Sequence, residues 1–116
     1  MSASQQPALA TAAAFRILGY LDIYEDDLHV LAQEWPGPEA QSALASQIDA
    51  MRSEATALPE LIVPWIAFLI SHEKLVQALV LASSTAERLD ELEKHVRVLL
   101  DLQAKCLELL TGNPHR

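Results

Sequence analysis

Three short interruptions, Pro36-Gly37-Pro38, Leu58-Pro59 and Ser83-Ser84, divide this chain into four stretches in which apolar residues recur every three or four positions. That step is the period of a helix with one buried face, and no stretch shows the alternation of a strand. Short connections between helices force antiparallel neighbours. The pattern therefore predicts an all-α fold, an antiparallel up-down four-helix bundle. Three helices, with the second and third fused, or a first helix split at Gly19, fit the same pattern.

The first segment, Pro7 to Trp35, carries Leu9, Ala13, Ile17, Leu21, Tyr24, Leu28, Leu31 and Trp35 on one face, with Asp22, Asp26, His29 and Gln33 opposite. The second, Glu39 to Ala57, is thinner, with Leu44, Ile48, Met51, Ala55 and Leu58 on its stripe. The third follows Pro59 and is apolar almost all round, which makes it the central helix. It holds two adjacent stripes, Leu61, Trp65, Phe68, Leu75, Leu79 and Ile62, Ile66, Leu69, Val76, Val80. Pro64 lacks the amide that would bond to Glu60, so the regular helix begins near Pro64 or kinks there. The fourth opens on Ser84-Thr85-Ala86-Glu87, a capping box in which the Ser hydroxyl accepts from the Glu87 amide. It continues through Leu89, Leu92, Val96, Leu99, Gln103, Cys106 and Leu110 and ends at Gly112, with Pro114 beyond. Asp90–Lys94, Glu93–Arg97 and Asp101–Lys105 are acid-before-base pairs that mark its wet side.

At 116 residues the chain is sized for one domain, here 7–112, with residues 1–6 a disordered N-terminus and 113–116 a tail. Apolar residues make up 51%, enough to fill one core. Net charge is −8, and between Ile17 and Met51 seven acids, Asp22, Glu25, Asp26, Asp27, Glu34, Glu39 and Asp49, occur with no Lys or Arg. Such a surface repels phosphate backbones and anionic lipid, so neither nucleic acid nor a membrane is an expected partner. The longest apolar run, Leu61 to Ile70, is ten residues, about half of the ~20 that span a bilayer. Cys106 stands alone, as in a reducing compartment, and no basic region precedes the Ala-rich N-terminus. A cytoplasmic protein is the expectation.

No catalytic or cofactor-binding motif is present, which points away from an enzyme. His72-Glu73 begins like a zinc-protease signature, but position 76 is Val76. Glu25-Asp26-Asp27 lacks the glycine of a calcium loop. The polar turn Ser71-His72-Glu73-Lys74 interrupts an otherwise apolar helix. Counting from the turns places His72 level with Leu44, His29 and roughly His95, so three histidines share one layer. His72, His95 and Glu91 are the candidate metal ligands. Against them, the Glu-x-x-His pairs of metal-binding bundles are absent, His29 falls on a polar face and His95 falls beside the fourth stripe. A hydrogen-bonded layer that fixes helix register explains the same residues without a metal, and no cofactor is expected.

The apolar residues exceed what three neighbours can cover. Ile62, Trp65, Ile66, Phe68 and Ile70 surround the start of the third helix, and Leu100 and Leu107 widen the fourth stripe. Excess apolar surface marks a partner. These seven residues are the candidate interface of a dimer, unless the Ala-rich Leu9 to Phe15 covers them. The sequence thus suggests a non-enzymatic interaction or adaptor module that self-associates and shows an acidic face to a basic protein partner. The alternative is a helical bundle that binds a small ligand or metal at its histidine layer.

Overall fold

The computed structural model describes residues 2–34, 37–81 and 84–111, with side chains from Leu9 onward. Every long element among them is an α-helix: α1 (Ser2–Gln33), α2 (Pro38–Thr56), α3 (Ile62–Leu81) and α4 (Thr85–Thr111), with a 3-10 turn at Pro59–Leu61 before α3. Trp35, Gly112 and the 113–116 tail lie outside the described residues. The backbone of α1 is helical from Ser2. No glycine stands before Pro7, and a helix, once nucleated, extends one residue at a time.

Each boundary has a local cause. Gly37 caps α2 in the left-handed region at φ 34°. A Cβ there would sit 3.0 Å from the Glu34 carbonyl oxygen, so only glycine turns the chain at this point without strain. Leu58 is extended, and Pro59 starts the 3-10 turn whose Leu61 amide bonds to the Leu58 carbonyl at 3.0 Å. Helix α3 begins at Ile62, two residues before the expected Pro64 start. Pro64 therefore falls in the first turn of α3, where the amides need no helical partner. At α4 the Ser84 hydroxyl accepts from the Glu87 amide at 3.1 Å. Ser84→Ala is expected to cost about 1 kcal/mol, measured as a lower urea midpoint with unchanged helical circular dichroism.

Helices α1 and α4 form a long antiparallel pair, held at one end by Thr11 Oγ1 donating to the Leu109 carbonyl (3.5 Å) and at the other by Arg88 Nε donating to the Ala32 carbonyl (3.3 Å). Helix α2 packs on α1 and α3 on α4, while α2 and α3 touch only lightly. The inner faces meet in one cluster: Ile17, Leu21, Tyr24, Leu28 and Leu31 of α1, Leu44, Ile48, Met51 and Ala55 of α2, Trp65, Phe68, Leu75 and Leu79 of α3, and Leu92, Leu99, Leu102 and Cys106 of α4. Arg16 joins α1 to α2 by a two-pronged bond, Nε to Glu54 Oε2 at 2.8 Å and Nη2 to Oε1 at 2.9 Å. On α4, Lys94 reaches both Asp90 and Glu91 at 3.4 Å. Lys105 turns to Glu108 at 3.3 Å rather than to Asp101.

The stretch Pro59–Leu81 is long and apolar enough to cross a membrane by length and composition. In this fold its inner face is committed to the core through Leu61, Trp65, Phe68, Leu75 and Leu79.

Candidate functional site

Midway along the molecule the apolar core is interrupted by four polar side chains on three helices. Tyr24 occupies a position on the inward stripe of α1 between Leu21 and Leu28. On α4 the inward residues are Leu92, His95, Leu99, Leu102 and Cys106, so His95 stands on the seam itself and is 1% exposed. This corrects the placement of His95 beside the stripe. Two rows that share Leu92, Leu99 and Cys106, one passing through Val96 and Gln103 and one through His95 and Leu102, both step by three and four, and contact with α1 and α3 turns the second inward. On α3, His72 continues the inward stripe after Phe68, and Ser71 lies on the side toward α4.

These groups form an unbroken chain of hydrogen bonds. Ser71 Oγ is 2.6 Å from His95 Nδ1, His95 Nε2 is 2.7 Å from Tyr24 Oη, and Tyr24 Oη is 2.7 Å from His72 Nδ1. With both imidazoles neutral, every proton has a place. In one arrangement Ser71 donates to His95, His95 to Tyr24 and Tyr24 to His72; in the other every bond is reversed. The chain also joins two surface grooves. Ser71 lines the groove between α3 and α4, with Lys74 and Lys94 at its edge, and His72 lines the open groove between α2 and α3, near Asp49 and Arg52. Aromatic packing fixes the rings: Phe68 lies 4.9 Å from Tyr24, 5.2 Å from His95 and 5.7 Å from Trp65, centroid to centroid.

Burial keeps the chain neutral. It pushes His95 down to about 4, with the nearby His72 adding to the effect. Burial also lowers His72, against an opposing pull from Glu73, and raises the Tyr24 hydroxyl. The Cys106 thiol, also buried, is pushed up to about 11, so it is inert rather than nucleophilic. A base as weak as His95 is poorly suited to activating Ser71 near neutral pH. The chain instead satisfies buried polar groups and ties α1, α3 and α4 to one relative height.

Of the candidate ligands, His72 and His95 are brought together, their rings 6.1 Å apart, but the nitrogens that face inward are bonded to Tyr24. Glu91 is drawn to Lys94. His29 is exposed in the groove between α1 and α4, and Tyr24 takes the place in the layer that the sequence assigns to it. Tyr24 stands on the apolar stripe of its segment while His29 stands opposite, and that difference is visible in the sequence. Among the described residues no group of three His, Cys, Asp or Glu side chains is placed to hold a metal.

The candidate interface divides in three. Trp65 and Phe68 are 2% and 0% exposed, which removes them from any surface: α4 and α1 cover the stripe they share. Ile62, Ile66 and Ile70 are exposed on the outer side of α3, and Val63, Val80 and Leu81 are exposed as well. Leu100 and Leu107 are also exposed, but they continue the Leu89, Glu93, Val96 row that borders the α1 groove. They sit on the flank of α4 turned away from α3, so the two sets are not one patch. Comparison with protein-family profiles, with curated proteins and with solved structures returns no match.

Proposed function

We propose that the four helices form an up-down antiparallel bundle serving as a non-enzymatic interaction module, self-associating through the outer face of α3 and offering its acid-rich α1 and α2 surface to a basic protein partner. The observation that carries this reading is the outer face of α3, where Val63, Ile66 and Ile70 are 78%, 49% and 52% exposed and, past a polar stretch at Glu73 and Gln77, Val80 and Leu81 are exposed again. Isolated exposed apolar residues need no explanation, but a row along one helix is the mark of a contact surface. The acids Asp22 and Asp26 on α1, Glu34 just after it, and Glu39 and Asp49 on α2 are exposed, where they steer a positively charged partner and repel nucleic acid. The buried lone thiol of Cys106 fits work in a reducing, cytoplasmic setting.

Light scattering coupled to size-exclusion chromatography tests the reading. The wild-type protein is expected to run as a dimer, and Ile66→Glu with Ile70→Glu as a folded monomer with unchanged helical circular dichroism. A wild-type protein that is monomeric across a wide concentration series would end the proposal.

A further inference from the structure

The outer face of α3 has a repeat of its own. Val63, Ile66, Ile70, Glu73, Gln77 and Val80 follow one another by steps of three and four, all exposed, opposite the inward row Leu61, Trp65, Phe68, His72, Leu75, Leu79. Steps of three and four along one helix are the repeat by which two helices pack as a coiled coil. Apolar residues hold both ends of this outer row, and its middle is polar. Glu73 lies on the row itself, and Lys74, one residue later, lies on its border. Both are exposed, and neither has an ion-pair partner among the described residues. Being adjacent in sequence, they point about 100° apart and do not face each other.

We infer, resting on the proposed self-association, that two copies of this chain pair through α3 in parallel, about a two-fold axis that runs along the helices, with Glu73 of each copy against Lys74 of the other. The charges select the direction. In a parallel pair the axis exchanges the two borders of the row, so the border residue of one helix covers the row residue of its neighbour at the same height. Each Glu73, brought toward its own counterpart near the axis, is thereby covered by the Lys74 of the second copy. In an antiparallel pair the axis is perpendicular to the helices, each border meets the same border of the other copy, and Glu73 packs over Ile70 with its charge unanswered. A membrane is a poorer occupant, because Glu73, Lys74 and Gln77 would sit at the centre of the apolar row.

The full chain is tested by charge exchange and by cross-linking. Lys74→Glu alone is expected to weaken the dimer roughly ten-fold or more in Kd, and Glu73→Lys combined with Lys74→Glu to return it to within about three-fold of wild type. Gln77 meets its own counterpart only in a parallel pair, so oxidised Gln77→Cys is expected to give a covalent dimer, while the wild-type protein, whose Cys106 is buried, gives none. A wild-type dimer in which Gln77→Cys does not cross-link, or in which the double exchange fails to recover affinity, overturns the parallel pairing and leaves self-association standing. A wild-type protein that is monomeric, or that floats with lipid vesicles instead of pairing, overturns both.

Discussion

Phe68→Ala is expected to lower stability by about 3–5 kcal/mol, the largest loss from any single truncation on α3 other than that of its neighbour Trp65. Phe68 is fully buried and contacts rings from three helices: Tyr24 of α1 at 4.9 Å, His95 of α4 at 5.2 Å and Trp65 of α3 at 5.7 Å. Removing it opens a cavity whose walls are the rings that hold the Ser71–His95–Tyr24–His72 chain in line, so lost packing and loosened hydrogen bonds add together. Urea unfolding at several chain concentrations measures the effect. Because Phe68 faces inward, the loss is expected to be independent of concentration. A loss below about 1 kcal/mol, or one that disappears on dilution, would instead place Phe68 in a contact between chains.

Acid is expected to weaken the fold by about 3 kcal/mol between pH 6.5 and pH 4. Burial pushes His95 down to about 4 in the folded protein, whereas an unfolded histidine titrates near 6.5. Between these values the unfolded chain binds a proton that the folded chain refuses, so stability falls as pH falls; above about 6.5 both states are neutral and the effect is absent. His72 is lowered for the same reason and adds in the same direction. The lowered Glu54 carboxylate beside Arg16 also loses stability toward low pH, but it is solvent-facing and contributes little. Stability measured by urea unfolding from pH 7.5 to 4 is expected to fall steeply in the wild type. It should fall much less in His95→Gln, which bonds without titrating, although that variant starts lower at pH 7. Equal slopes in the two proteins would show that His95 is not held neutral by the core.

Much of this architecture can be read from local pattern. Ser84 followed by Glu87, the glycine at position 37 and the prolines at 38 and 59 mark helix ends through bonds made within a few residues, and those bonds form whatever the rest of the chain does. The inward faces of α1 and α2 are equally plain, because each has a single apolar stripe with charge opposite it. On that ground Tyr24 reads as inward-facing, and only the structure sets it in the polar layer. Counting levels from the turns favoured His29 because it fixes height along the helices but not rotation about the helix axis.

What the sequence determined by itself is therefore the helical class and the breaks between helices, since these depend on hydrogen bonds and side-chain freedom within a turn or two. Only the tertiary structure decided how α3 and α4 are rotated. Helix α3 is apolar nearly all round, so nothing local says that Trp65 and Phe68 face inward while Ile66 and Ile70 face out. On α4, the rows through Val96 and through His95 share Leu92, Leu99 and Cys106, and their directions differ by less than the width of a helix face. Contact with α1 chose between them, placing His95 within reach of Tyr24 and Ser71. The hydrogen-bonded chain exists because three helices meet at one height, a relation between residues 24, 71, 72 and 95 that no short window of sequence contains.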